Sequence, residues 1–298
     1  AKLIAEKFKT EHHEIRLNPL EFMNELPAAL LAMDHPSGDG PNTYVVSKVT
    51  KNAGVTMALS GLGGDELFAG YDIFKRSVKL SENQWLMKVP LSVRRITGKA
   101  LRAVRPGVAS EKISALLELN DFELSSTYPL SRQLLLDRQI RKIVLSDKLA
   151  ENTVSSFVKT QLKNNLKLPL LSRVSIAEVS TYMQNVLLRD TDQMSMAHAL
   201  EVRVPFLDYK LVEYVIAVPD KYKYPHSPKK LLMDSLGDLL PGEIVNRPKM
   251  GFTFPWKNWM KNELKQFCEQ RMESLSERNG FNKSGILIVT GEKHRKLV

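Results

Sequence analysis

Residues 60–71, SGLGGDELFAGY, combine a serine, closely spaced glycines and two adjacent acids. The apolar run VTMAL at 55–59 precedes them and predicts a buried strand, and we expect a helix to follow the loop. Glycines permit positive φ angles and let a ligand approach the backbone closely. Backbone N–H groups at a helix N-terminus attract anions. The loop is therefore a candidate phosphate site.

The two acids, Asp65 and Glu66, make the chemistry more specific. They would repel a phosphate unless a cation intervened, and Mg²⁺ commonly binds one or two carboxylates together with phosphate oxygens. The GxGxxG fingerprint would need glycine at Glu66, and GxxxxGK[ST] is absent. The residues alone leave two interpretations open: a nucleotide loop with Mg²⁺, and a simple strand-to-helix turn whose first acids stabilise the helix.

The segments before residue 72 indicate an α/β region. Helical patterns at 1–9, 20–33 and 43–54 alternate with strand candidates at 12–17 and 55–59. Such alternation predicts the edge of a doubly wound parallel sheet with covering helices. Beyond it nearly every periodic segment is helical. We therefore expect a partial α/β nucleotide-binding region at 1–72 and a mainly helical array at 73–298, in one body with the first.

Composition limits the partners. The formal charge is +10, but the basic residues are scattered without interleaved aromatic side chains, so we do not expect nucleic-acid binding. Cys268 is the single cysteine, which excludes an internal disulfide and suits the cytoplasm. The longest apolar runs are too short for a transmembrane helix, and no membrane partner is expected. A homodimer is compatible with the sequence.

Four separated motifs carry a resemblance to a known family. SGLGGDELFAGY (60–71), LLRDTDQMSMAHALEVRVPFLD (187–208), KKLLMDSL (229–236) and LPGEIVNRPKMGFTFPWKNWM (240–260) occur in this order. Together with DHPSGDGPNTYVVSK (34–48), they resemble the synthetase domain of glutamine-hydrolysing asparagine synthetases. The resemblance implies an adenine nucleotide alpha hydrolase-like sheet, and it makes residues 73–298 the helical synthetase region.

The resemblance also implies an activity and its residues. In such enzymes a carboxylate, that of aspartate, attacks the α-phosphate of ATP, and ammonia from a separate glutaminase domain then displaces AMP. It implies Lys229 as the catalytic cation near the α-phosphate and Asp65 as the Mg²⁺ ligand. The implied ATP-binding loop is Ser60, Gly61, Leu62, Gly63 and Gly64. Further candidates for substrate or nucleotide contacts are Asp34, Asp39, Asp190 and Asp192.

Two departures from the family pattern matter. Leu62 stands where an acid is frequent, and an apolar side chain cannot accept a proton. Aspartate is therefore not the only possible acceptor. The alternatives are an amidotransferase that acts on another carboxylate, a non-catalytic homologue and a nucleic-acid-binding homologue. The family's upstream loop SGG-x-DS is also absent. We expect the chain to be a fragment of a longer protein, and residues 1–298 alone to show no ATP turnover.

Overall fold

A computed structural model describes residues 2–286, apart from residues 15, 17, 147, 148, 150, 151, 224–226 and 247–253. In these ranges the α-helices are, in chain order, α1 (Lys2–Phe8), α2 (Pro19–Ala32), α3 (Gly40–Asn52), α4 (Gly64–Leu67), α5 (Asp72–Glu82), α6 (Leu91–Val104), α7 (Val108–Leu117), α8 (Leu124–Arg132), α9 (Asp137–Ile143), α10 (Thr153–Leu162), α11 (Leu170–Glu178), α12 (Leu188–Met196), α13 (Tyr209–Ala217), α14 (Asp220–Lys223), α15 (Lys230–Leu236), α16 (Gly242–Val245), α17 (Trp256–Trp259) and α18 (Lys265–Ser276).

Short 3₁₀ and π segments complete the helical part. The 3₁₀ turns are Gln84–Lys88, Pro205–Leu207 and Gly237–Leu239, and a π-helical segment covers Val179–Leu187 between α11 and α12. None of the helices in the described ranges is long and apolar enough to cross a bilayer.

The strands are β1 (Met57–Leu59) and β2 (Glu201–Arg203). They pair in parallel, with Ala58 opposite Val202. In the described residues this two-stranded sheet is the whole of the sheet structure. The parallel pairing expected of an α/β region is present, while the wider doubly wound sheet is not part of what the structure describes.

The predicted strand at 55–59 is shorter and less buried than expected. Met57 is 43% exposed and Leu59 69% exposed, because a two-stranded sheet covers few of its side chains. The strand candidate at 12–17 is not a strand at residues 12–14 or 16; residues 15 and 17 lie outside the described ranges.

Local sequence signals explain where the helices before the loop begin and end. Asn18 accepts the N–H of Glu21 (2.9 Å) and the Glu21 carboxylate accepts the N–H of Asn18 (2.9 Å), a reciprocal cap that starts α2. Gly54, just past α3, has φ +85°, a left-handed conformation that glycine adopts without strain.

The chain forms two compact units. One comprises residues 1–71 and 178–255, and the other comprises residues 72–177 and 256–298. Residues 178–255, which the sequence grouped with the helical array, cluster with the α/β part. In the first unit α12 packs against α3, α2 and β2. In the second, α6 packs on α7, and α8 packs on α7, α10 and α5.

Candidate functional site

The glycine loop starts where β1 ends. Ser60 continues the pairing with β2, since its N–H donates to the carbonyl of Arg203 (2.8 Å). Gly63 has φ +94°, and a Cβ there would lie 2.8 Å from Leu207 Cδ2 and 3.0 Å from Phe206 Cβ. Glycine is therefore required at residue 63 both by the backbone angle and by the space.

The helix after the loop is a single turn. Helix α4 covers only four residues, and the chain then turns at Ala69, which has φ +55°. A helix this short has a small dipole, so the expected attraction of a helix N-terminus for phosphate has little support here. What anchors the loop is packing: Leu67 and Phe68 are buried in a cluster with Val215 of α13.

Lys229 and Asp65 meet beside this turn. The Lys229 ammonium lies 3.1 Å from the Asp65 carboxylate, and both side chains are mostly buried. The Lys229 N–H also donates to the carbonyl of Phe68 (2.9 Å), which fixes the lysine backbone against α4. Lys229 precedes α15 with φ +59°. Lys230, by contrast, begins α15 and pairs with Asp234 one turn later.

Gly70 makes this contact sterically possible. Its N–H donates to the Asp65 carbonyl (2.8 Å). A Cβ at residue 70 would overlap the Asp65 carboxylate and approach Lys229 Cε to 2.7 Å. The absence of a side chain at Gly70 therefore lets the carboxylate and the ammonium approach each other.

Glu66 has structural contacts that the sequence interpretation, which gave it only as a helix-stabilising acid, did not include. It is 1% exposed, and its carboxylate accepts the N–H of Gly63 (3.1 Å) and the hydroxyl of Tyr71 (2.7 Å). Burial raises the pKa of Glu66. Burial, and then the neighbouring Glu66 charge, raises the pKa of Tyr71. The sequence did contain a signal for this role. Gly63 is the residue before α4 and Glu66 follows it by three positions, which is the spacing of a capping box.

A second polar cluster joins Asp34 to Asp190. His35 lies between them, with Nδ1 2.9 Å from Asp34 and Nε2 3.3 Å from Asp190. Arg189 pairs with Asp34 (3.1 Å), and its hydrogen bond is the main reason that the pKa of Asp34 is lowered. Ser37 donates to Asp190, whose pKa is raised chiefly by burial. The sequence interpretation did not include His35.

The other two predicted acids have different surroundings. The Asp39 N–H donates to Ser37 Oγ (3.2 Å), and burial raises the pKa of the Asp39 carboxyl. Asp192 is exposed, and its backbone carbonyl accepts from Ser195 Oγ (3.4 Å). Among the described residues the structure therefore links Asp34, Asp39 and Asp190 through neighbouring contacts, and gives Asp192 no such link.

Asp65 is the residue of the loop that fits a magnesium ion. In the described ranges no three acidic, histidine or cysteine side chains are close enough to form a metal site by themselves. Mg²⁺ does not need such a set when phosphate oxygens and water supply the remaining ligands. Asp65 meets that requirement as a partly exposed carboxylate next to the glycine loop, with Lys229 beside it. The Glu66 carboxylate is buried and accepts hydrogen bonds from Gly63 and Tyr71.

Comparison with known proteins agrees with the motifs. The family model described as asparagine synthase matches residues 1–296. Asparagine synthetase 1 of Bacillus subtilis is 28% identical over 254 residues, covering 84% of this chain and 39% of that protein. Asparagine synthetase 3 of the same organism is 25% identical and covers 83% of the chain and 34% of the relative.

A relative that is named as an amidase also matches. The amidase chyE of Penicillium rubens is 25% identical over 264 residues, covering 80% of this chain and 39% of the relative. The chain thus spans less than two fifths of the length of each of these relatives.

Proposed function

This chain belongs to the asparagine synthase family, and on that premise we propose that it is the ATP-dependent, amide-forming part of a glutamine-hydrolysing ligase. A carboxylate oxygen attacks the α-phosphate of ATP, which releases pyrophosphate and leaves an acyl-adenylate. Ammonia then attacks the acyl carbon, and AMP leaves. Aspartate is the proposed acceptor, and the ammonia would come from a glutaminase domain.

The observation that carries this proposal is the contact of Lys229 with Asp65 beside the loop of residues 60–64. Negative charge builds on the phosphate during attack and on the acyl oxygen during amide formation. The Lys229 ammonium would supply a positive charge for both, since its backbone is hydrogen-bonded to Phe68 and the ammonium itself lies 3.1 Å from Asp65. Ser60, Gly61, Leu62, Gly63 and Gly64 would bind the adenylate part of ATP.

Mg²⁺ would be held by Asp65 and by phosphate oxygens, and it would neutralise phosphate charge. Glu66 would act on the reaction only indirectly. By accepting the Gly63 N–H it holds the loop in its left-handed turn, and Tyr71 holds the Glu66 carboxylate in place. Asp34, Asp39 and Asp190 would bind or orient the substrate, and Asp192 is the weakest member of that group.

Leu62 favours a second candidate for the acceptor. It is only partly buried, so it can contact a substrate, yet it offers no proton acceptor. An amidotransferase that adenylates a different carboxylate would tolerate this change better than an enzyme specific for aspartate. The chemistry at Lys229 would be the same in both cases. We propose the cytoplasm as the compartment and a homodimer as the assembly.

Adjacent lysines provide a matched test. We expect Lys229→Met, in the complete gene product, to lower the rate of AMP release by about 100-fold or more, because a fixed charge stabilising the transition state is removed. Lys230→Met should change it little, since Lys230 pairs with Asp234 on α15. Equal effects of the two substitutions would refute the assignment. Comparing aspartate with other carboxylates in this assay identifies the acceptor.

A further inference from the structure

A large cavity lies in the second unit, and its lining includes no residue of the glycine loop. Its volume is about 1000 Å³. Helices α5, α8, α10 and α11 and the 3₁₀ turn Gln84–Lys88 contribute to its lining. Cavities that hold small organic ligands commonly measure about 300–1,000 Å³. The cavity is therefore large enough for a ligand, and it is distinct from the residues proposed to bind ATP.

Apolar side chains form much of its wall. Leu80, Met87 and Leu166 line it together with Phe122 and Leu162, which are 9% and 4% exposed. Several of these residues come from different segments of the chain, so the apolar wall depends on the packing of the second unit. An apolar group placed there would be removed from water, which is favourable in proportion to its buried surface.

A partly buried arginine lies in the same lining. Arg173 of α11 has its Nε atom buried, and that atom has no hydrogen-bond partner among the described residues. Leaving a buried donor unpaired costs stability, and in proteins such groups commonly mark a position that a ligand or water fills. Arginine is also the side chain best suited to bind a carboxylate through two parallel hydrogen bonds.

The remaining charges of the lining are exposed. Lys159 and Lys163, four residues apart along the α10 segment, add positive charge at the cavity. Asp121 and Glu123 add negative charge, and the Asp121 carboxylate accepts the N–H of Glu123 (3.0 Å). The cations outnumber the acids, so an anion is favoured over a cation of equal size.

We propose that this cavity binds an amphipathic monocarboxylate, with its carboxylate on Arg173 and its apolar body against Leu80, Phe122 and Leu162. The proposal does not depend on the ATP chemistry, because every lining residue belongs to the second unit. It assigns a second small-molecule site to the chain.

Calorimetry with three probes tests it. Octanoate has the charge and the apolar body, octylammonium has the body with the opposite charge, and acetate has the charge without the body. We expect saturable binding of octanoate, with acetate and octylammonium at least tenfold weaker. Absence of octanoate binding, or equal affinity for octylammonium, would overturn the proposal.

Variants locate the binding. Arg173→Gln should weaken octanoate at least tenfold, because it removes a charge-assisted hydrogen bond. Arg95→Gln, on an exposed position of α6 outside the lining, should not. Should Arg173→Gln fail to fold, Ser81→Trp decides, since an indole from an exposed lining position would fill the cavity. An unchanged octanoate affinity in Ser81→Trp would overturn the proposal. Ser92 is an exposed residue of α6 outside the lining, so loss of octanoate binding in Ser81→Trp but not in Ser92→Trp would support it.

Discussion

Substituting Gly70 by alanine should separate Asp65 from Lys229 without unfolding the protein. An added Cβ would lie 2.8 Å from Asp65 Cα and 2.7 Å from Lys229 Cε, and would overlap the Asp65 carboxylate. Carbon atoms prefer separations of about 3.5–4.0 Å, so the contact must open by roughly 1 Å. Overpacking of this kind costs about 1–3 kcal/mol of stability.

The effect on activity should be larger than the effect on stability. A displacement of about 1 Å in a positioned group can lower a rate by about 100-fold. We therefore expect Gly70→Ala to reduce AMP release by the complete gene product by about that factor. Thermal unfolding should show a decrease of only a few degrees.

Gly107→Ala is the matched control. Gly107 precedes α7 with φ 163°, an extended angle that any residue adopts, and a Cβ there meets nothing within 4 Å. It should leave AMP release and unfolding nearly unchanged. A folded Gly70→Ala variant that releases AMP at the parent rate would refute the assignment of the Asp65–Lys229 contact to the reaction.

Three further predictions concern single side chains. Burial raises the pKa of Glu66 above its ordinary value of 4.5 in the folded protein. The free energy of unfolding should therefore decrease as the pH rises from 4.5 through the folded-state pKa, because the folded state holds the Glu66 proton more tightly than the unfolded state. Glu66→Gln cannot ionise at this position, so its free energy of unfolding, measured in urea, should decrease less over this pH range. The same pH dependence in both proteins would contradict the prediction. Burial lowers the pKa of Lys223 to about 8, so the folded state is stabilised as the pH rises from about 8 to 10.5. The free energy of unfolding of Lys223→Met should lack that rise with pH, and at pH 7 it should exceed that of the parent by on the order of 1–3 kcal/mol. An unchanged pH dependence in this variant would show that Lys223 is not its cause. Leu62→Glu should raise AMP release with aspartate relative to other carboxylates, whereas Leu62→Gln should not. Equal effects of the two substitutions on AMP release would show that residue 62 does not determine which carboxylate is accepted.

The sequence alone was sufficient for the family and for the approximate positions of the helices before the glycine loop. Local signals decide where a helix begins, as Asn18 and Glu21 do for α2, and four ordered motifs were enough to indicate an amide-forming ligase. Beyond residue 72 the run SRQLLLDRQIRKIVL, at 131–145, has a continuous helical pattern, yet the structure breaks it between α8 and α9. There Leu136 donates its N–H to the Gln139 side chain and starts a new helix.

Only the tertiary structure decided which side chains meet. Lys229 lies 164 positions after Asp65 in the chain, and periodicity along either segment carries no information on their 3.1 Å contact. The same holds for His35 between Asp34 and Asp190, and for the unpaired Nε of Arg173 in its cavity. Residue type and spacing determine local structure because the interactions are local, whereas these contacts depend on how distant elements pack. The sequence identified the loop SGLGGDE and, through the family resemblance, Lys229, whereas the contact of Lys229 with Asp65 and the hydrogen bonds of Glu66 became known only from the structure.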